Sequence, residues 1–250
     1  NTNEFLCQGF DKLAAPMAAK QREKREKQFG LVYDPDSILA DMRLRLYVSP
    51  VSHTTFDFAH VYLCGGVANT EMHLFLKSCR KVLGWDYDVF HSWMQPWEWP
   101  SWICGPPKDV FNDARAAHSA EAFKAGASEL LGVYIPFRNM VERLIPGDRM
   151  AKEVRSLLAL FKILDGFART QLGLVPRGWG IAIVEYMRAH KEAYFDHIVP
   201  PNSHYQFHRP EQLAKYKLMI TSSPLERTHR CVKAAATRTM ELTNFENSGM

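Results

Sequence analysis

Apolar residues recur every three to four positions through the second half of the chain, which is the period of an amphipathic helix. Two runs, RMAKEVRSLLALFKILDGFA and GIAIVEYMRAHKEAYFDHI, each carry one apolar face. A third run, SELLGVYIPFRNMVERLIPG, contains Pro136, which we expect to divide it into two helices. Residues 118–200 therefore predict a helical bundle with short loops. The residues of the first two apolar faces are Val154, Leu157, Leu158, Phe161, Leu164, Val184, Met187, Tyr194 and Ile198.

The first half of the chain is less regular. Residues 1–29 end in the mixed-charge run AKQREKREKQFG, in which Glu23 and Glu26 interrupt the bases. This pattern favours a solvated helix with internal ion pairs over a basic tail that binds nucleic acid. A turn around Pro35, a short helix and a short extended piece are expected in residues 30–50. From residue 58 to residue 82 the apolar spacing is again helical, interrupted by Gly65 and Gly66.

Residues 85–117 begin with a stretch rich in tryptophan and proline, WDYDVFHSWMQPWEWPSWICGPP. The prolines predict that most of it is a loop. Its aromatic rings either pack this long connection onto the core or offer a stacking platform for unpaired bases. We favour packing, because tryptophan in such loops usually covers apolar surface.

Composition excludes several classes of protein. With 250 residues, 46% hydrophobic and 23% charged, the chain is long enough for one large domain or two small ones. Its five cysteines are scattered and include no C-x-x-C pair, so neither a disulfide framework nor a cysteine zinc site is indicated. A net charge of +4 permits an anionic partner without requiring one. No apolar run is long enough to span a bilayer, and a reducing interior compartment fits best.

The stretch TTFDFAHVYL places Asp57 and His60 three residues apart inside an otherwise apolar run. A carboxylate in such surroundings costs several kcal/mol unless it has a partner. Asp57 and His60 therefore form either a structural acid–imidazole pair or the edge of a site.

A second informative stretch is SSPLERTHRCVKAAATRTMELTNFE. Ser223, Pro224 and Glu226 have the positions of a capping box, so Glu226 has a structural explanation. At about 100° per residue, four bases occupy an arc of about 140° opposite the apolar stripe, and Glu226 projects into that arc. The arc is either a phosphate-contacting surface beside a metal-binding carboxylate or a solvated face with a Glu226–Arg230 pair. The four bases are Arg227, Arg230, Lys233 and Arg238.

His204 and His208 lie four residues apart in PPNSHYQFHRPEQLAKY. Two prolines and an Asn-Ser pair precede them, so the sequence does not predict a helical H-x-x-x-H metal face here. We expect His208 to cap or pack against a short helix that begins near Pro210.

The order of these motifs resembles eukaryotic transposases of the CACTA-like group. Asp57 and His60 match a D-x-x-H motif of that family, and Glu226, Arg227 and Lys233 match its late ER…K helix. The segment AFKAGASELLGVY also looks like the helical insertion of such proteins. The resemblance covers most of residues 30–248 and rests on the order in which the motifs occur.

The resemblance implies a mainly α (α+β) fold, in which a large helical insertion interrupts a partial RNase H-like core with a sheet remnant near residues 44–62. It implies a charged helical lead-in (1–29), a core segment (30–84), a Trp/Pro-rich loop (85–117), the insertion (118–200) and a C-terminal helical segment that completes the core (201–250). It further implies DNA strand cleavage and transfer assisted by Mg²⁺ or Mn²⁺ in the nucleus. Asp57 and Glu226 would then bind the metal and His60 would orient Asp57.

The chain also departs from this family. A first catalytic acid on an upstream strand is missing, because Asp34, Asp36 and Asp41 lie in turns or at helix starts. We therefore expect this segment to lack part of the active site and to be inactive in strand transfer by itself. A decayed or domesticated copy is left open. The alternatives are a catalytically inactive DNA-binding protein and a helical scaffold for other proteins. A homo-oligomer is left open.

Overall fold

The computed structural model describes residues 2–29, 32–49, 56–99, 107–112, 123–145, 148–171, 174, 177–197 and 201–216. Every regular element in these residues is a helix, which confirms the mainly helical class. The sheet remnant expected near residues 44–62 has no counterpart in the described part of that range, which is helical or irregular. None of the described helices is both long enough and apolar enough to cross a membrane.

The chain divides into two compact units, Asn1–Thr55 and Phe56–Met250. The first unit contains α1 (Thr2–Ala14), α2 (Ala19–Phe29) and α3 (Met42–Arg45). In α2, Lys27 Nζ lies 2.7 Å from Glu23 Oε1, as the mixed-charge pattern predicts. Arg45 donates to both carboxylate oxygens of Asp11, at 2.6 and 3.0 Å, and so ties α3 to α1.

The second unit begins with a π-helix (Ala59–Leu63). The helices α4 (Val67–Leu83) and α5 (Tyr87–Met94) and a 3₁₀ turn (Pro107–Phe111) follow. Three long helices form its centre: α6 (Ala127–Leu144), α7 (Ala151–Gln171) and α8 (Trp179–Ala193). The last described elements of this unit are α9 (Pro201–Tyr205), a 3₁₀ turn (Gln206–His208) and α10 (Arg209–Tyr216). Helix α8 packs along α7, which in turn contacts α4 and α6.

The two glycines after the π-helix allow a tight reversal into α4. Gly65 has φ +68°, in the left-handed region that favours glycine. At Gly66, an added Cβ would lie only 2.3 Å from the carbonyl oxygen of Val61. A side chain at Gly66 would therefore push α4 away from the π-helix.

Phe58 anchors the Asp57–His60 segment to the helical core. Its ring is fully buried and stacks on Phe167 of α7 at 3.9 Å, with Trp179 of α8 at 6.2 Å. Phe58 is one residue from Asp57, so this packing determines where the acid–imidazole pair emerges at the surface.

The prediction that Pro136 divides its helix is wrong, because α6 continues through it as one helix. A proline inside a helix loses one backbone hydrogen bond, and its ring crowds the carbonyl four residues earlier, here that of Gly132. Pro136 is itself buried, and its carbonyl accepts a hydrogen bond of 3.1 Å from Trp93 Nε1. Packing therefore outweighs the lost backbone hydrogen bond.

The tryptophan-rich stretch is more ordered than expected, since α5 occupies much of its first half. Asp86 caps α5 by accepting from the Tyr87 amide at 2.9 Å. Trp85, Trp93 and Trp99 pack against the core cluster, which agrees with the packing interpretation for these three rings. Trp102 lies outside the described residues.

Candidate functional site

The structure brings Asp57 and His60 together as a local pair. Asp57 accepts from the backbone amides of Ala59 at 3.3 Å and His60 at 3.1 Å, and its carboxylate also contacts His60 Nδ1. The side chain of Asp57 is 15% exposed and that of His60 56% exposed. The acid is tolerated beside an apolar run because it satisfies the free N–H groups at the start of the π-helix.

The other residues of the predicted site belong to the C-terminal run SSPLERTHRCVKAAATRTMELTNFE. Glu226, Arg227, Arg230, Lys233 and Arg238 all lie outside the described residues. Within the described residues, no group of three or more His, Cys, Asp or Glu side chains is arranged to hold a metal ion. The roles of Asp57, His60 and Glu226 in metal binding and catalysis therefore stay predictions.

A second acid–imidazole group, which the sequence analysis did not identify, lies in the core between α4 and α8. Glu71 and His190 are almost completely buried, with side-chain exposures of 0% and 5%. Glu71 Oε2 accepts from His190 Nδ1 at 2.6 Å and from the Tyr186 hydroxyl at 3.1 Å. The other ring nitrogen of His190 lies 3.3 Å from Nδ1 of His197, which is partly exposed. These four side chains form a continuous polar chain from the core toward solvent.

Burial dominates the electrostatics of this chain. It raises the pKa of Tyr186 well above its ordinary value, and the neighbouring Glu71 carboxylate adds to that effect. Burial also lowers the pKa of His197, with a further lowering from His190 and an opposing effect of Glu71. The remaining oxygen of Glu71 and the Tyr194 hydroxyl are buried and have no hydrogen-bond partner among the described residues. The group is therefore suited to holding or passing a proton, at a high desolvation cost.

The helical pattern contains a signal for this group. Glu71 lies four residues before Phe75 on the buried face of α4, and His190 lies four residues after Tyr186 on the buried face of α8. A lone polar residue on an apolar face predicts a buried partner. The pattern does not identify that partner, because Glu71 and His190 are 119 positions apart.

Arg209 is another buried charge missed by the sequence analysis. It is 2% exposed, it donates to the Phe56 carbonyl, and it lies 3.2 Å from Gln212 Oε1. Gln212 Oε1 also accepts from the Phe56 amide at 3.2 Å. Burial lowers the pKa of Arg209, opposed by Tyr62 and Asp57. Arg209 fastens α10 to the chain just before Asp57.

Two pockets that share Lys162 lie along α7 and α8, and we call them together the groove; one end of it is a basic cavity. That end has a volume of about 250 Å³ and lies at the N-terminus of α8. Its walls include Lys162 and Arg169 of α7 and Arg177 and Trp179 at the start of α8. We call these the basic end of the groove.

The charges at the basic end are unbalanced. Lys162, Arg169 and Arg177 are exposed, and none forms an ion pair with a described residue. Asp165 is the one acid among the described residues of its walls, and it is held by Arg138 at 2.8 Å and by the Tyr134 hydroxyl at 3.3 Å. The buried indole N–H of Trp179 has no acceptor among the described residues. The uncapped N-terminus of α8 adds backbone N–H groups, which together with the cations favour an anion.

The rest of the groove has mixed charge. Glu142 pairs with Arg138, and Glu192 pairs with Arg155. Neither this part of the groove nor the basic end is lined by Glu71, His190 or His197. The buried polar chain and the basic end are therefore separate features.

Comparison of the chain with protein-family models, with curated proteins and with solved structures finds no match.

Proposed function

We propose that this protein binds nucleic acid, with the basic end of the groove contacting backbone phosphates. The observation that carries the proposal is a set of three exposed cations without ion-pair partners among the described residues, around one cavity at a helix N-terminus. Binding of a nucleic acid to such a surface is favourable, because each cation that contacts a phosphate releases condensed counterions. The sequence analysis also left a DNA-binding protein open, but on a different surface, the basic arc of the C-terminal run, which lies outside the described residues.

The spacing of the cations suits an extended anion better than a single small one. Lys162 and Arg169 are seven residues apart on α7, which corresponds to about 10 Å along the helix. In a duplex, the phosphates of one strand are spaced about 3.4 Å apart along the helix axis, so these cations would contact different phosphates. The contacts would therefore be salt-dependent and largely independent of sequence.

The resemblance to CACTA-like transposases supports a finer proposal about origin. According to this finer proposal, the helices derive from a nuclear, Mg²⁺-dependent strand transferase with an RNase H-like core, and Asp57 and Glu226 are metal ligands. The carboxylate of Asp57 already accepts two backbone amides and contacts His60, so only part of its coordinating capacity is open to an ion. We therefore propose binding rather than strand transfer as the present activity of this segment. Mg²⁺-dependent joining of oligonucleotide ends by the protein would contradict this.

The test is a binding titration on fluorescent DNA duplexes over a range of salt concentrations. We expect changing Lys162, Arg169 and Arg177 together to Ala to lower affinity for all duplex sequences. The slope of log K against log salt should fall by about one unit for each phosphate that the variant no longer neutralises. A matched control changes Lys152 and Lys191 to Ala, which are exposed on the same two helices but line neither part of the groove.

The outcomes separate the rival functions. The triple variant removes three charges and the control two, so an equal loss of affinity per removed charge in both would mean that net charge alone attracts DNA. An unchanged affinity and salt slope in the triple variant would refute a role for the basic end. A parallel pair, Arg230→Ala with Lys233→Ala, tests the predicted C-terminal basic helix by the same measurement.

A further inference from the structure

Two imidazole rings converge on the surface near the end of the second unit. The Nε2 atoms of His204 and His208 lie 3.3 Å apart, with ring centroids at 5.1 Å and planes crossing at 78°. The sequence analysis did not predict a helical H-x-x-x-H metal face here; the structure places His204 in α9 and His208 in the 3₁₀ turn that follows it. Residues 201–216 are helical throughout. Pro201 stands at the first helical position, where its missing N–H costs nothing.

We propose that His204 and His208 bind a divalent transition-metal ion through their Nε2 atoms. Zinc–nitrogen bonds measure about 2.0–2.1 Å, and two such bonds at a tetrahedral angle hold their nitrogen atoms about 3.3–3.4 Å apart. The observed separation equals this spacing, so an ion can enter without moving either helix turn. One face of a helix with histidines at i and i+4 can in general supply two ligands to one metal.

Packing fixes one of the two ligands in advance. The His208 ring stacks on Phe56 at 5.3 Å with planes 21° apart, and Phe56 stacks on Tyr205 at 4.6 Å. A ligand whose ring is already held loses less conformational entropy when the ion binds. His204 is exposed, so the open side of the pair leaves room for waters to complete the coordination sphere.

The ligand chemistry selects the class of ion. Neutral imidazole suits Zn²⁺, Ni²⁺ and Cu²⁺, whereas Mg²⁺ prefers carboxylate, carbonyl and water oxygen. This site is therefore distinct from the magnesium site expected from the transposase resemblance. Among the described residues, no third His, Cys, Asp or Glu side chain is positioned to share a metal ion with this pair. Glu211 lies three residues after His208 and is exposed, so its carboxylate has the helical position of a third ligand.

Calorimetric titration of the folded protein with ZnCl₂ and NiCl₂ tests the proposal. We expect His204→Ala to weaken one binding event at least tenfold and Glu211→Ala to weaken the same event less. His91→Ala is the matched control, because His91 also lies at the surface of a helix but has Gln95 four residues later. MgCl₂ should bind with no difference between these variants. Acidification should abolish the Zn²⁺ event, since protonated imidazole is no ligand.

A second measurement leaves His208 unaltered, whose ring is packed on Phe56. Electron paramagnetic resonance of Cu²⁺ bound to the unaltered protein should show coupling to two imidazole nitrogens, and one of these should vanish in His204→Ala. Equal stoichiometry and affinity for Zn²⁺ and Ni²⁺ in the unaltered protein and His204→Ala would overturn the proposal. A copper spectrum unchanged by His204→Ala would overturn it as well.

Discussion

Two acid–imidazole pairs of the same chemistry lie in the second unit, in opposite surroundings. The Asp57–His60 pair is formed within four consecutive residues, and His60 is more than half exposed. The Glu71–His190 pair joins α4 to α8, and neither side chain reaches solvent appreciably. The comparison shows that the residue types alone do not determine what such a pair contributes. The surroundings do, because both the Coulomb attraction and the desolvation cost grow with burial.

The two carboxylates also differ in how their oxygen atoms are satisfied. Asp57 uses backbone amides of its own helix start, so its partners are fixed by local geometry. Glu71 uses two side chains of α8 and retains one oxygen without a partner in the described residues. We therefore expect the buried pair to be sensitive to loss of either partner, and the surface pair to be insensitive to loss of the imidazole.

The largest expected effect follows from His190→Leu, which removes the imidazole and keeps much of its volume. Glu71 would then be a buried carboxylate with Tyr186 as its remaining partner. Breaking a buried pair in this way costs about 3–5 kcal/mol. Urea unfolding followed by circular dichroism, with helix content checked at zero urea, measures the change in free energy of unfolding.

A triple variant separates charge from packing at this position. Glu71→Leu, Tyr186→Phe and His190→Leu together remove the whole buried polar group, and we expect them to recover most of the stability lost in His190→Leu alone. Replacing a buried ion pair by apolar residues of similar volume is often neutral or stabilising. If the triple variant is less stable than His190→Leu, the group stabilises the fold as a network and the desolvation argument is wrong.

A smaller effect is expected at the surface pair. Asp57→Ala removes the acceptor at the start of the π-helix and should cost about 0.5–2 kcal/mol. Asp57→Asn keeps a capping oxygen, and His60→Ala removes only an exposed partner, so each should cost less than about 1 kcal/mol. The same urea titration measures all three. Equal destabilisation by His60→Ala and Asp57→Ala would show that the imidazole, and not the cap, is the main partner.

The smallest expected effect concerns pH and His197, which is only partly buried. Because its pKa is lowered in the folded protein, the unfolded chain binds the proton more tightly. The stability contributed by neutral His197 is therefore fully present above the ordinary histidine pKa of 6.5. It is lost as the pH falls from 6.5 toward the lower pKa of the folded protein. Thermal unfolding between pH 5 and pH 8 should show a shallower decline in His197→Gln than in the unaltered protein. His60→Gln, which leaves the buried chain intact, should decline as the unaltered protein does.

Sequence patterns predicted the helical part of the fold well where one face of a helix is apolar. The runs around Leu157 and Val184 are helices, and most of the run that begins at Ser128 lies in α6. The local ion pair of Glu23 with Lys27 was also predictable, because residues four apart on a helix are neighbours. Pro136 was predicted wrongly, since its effect depends on its burial and on its contact with Trp93, which is 43 positions away.

The sequence by itself therefore determined the helical class, most helix positions and the proximity of Asp57 to His60. Each of these depends on residues within a few positions of one another, where backbone geometry fixes the distance. Only the tertiary structure decided which distant side chains meet. It paired Glu71 with His190, placed Arg209 against Phe56 and gathered Lys162, Arg169 and Arg177 around one cavity. Helical periodicity predicts which face of each helix is buried. It does not predict which other helix that face contacts, because the pairing of helices depends on the packing of the whole unit.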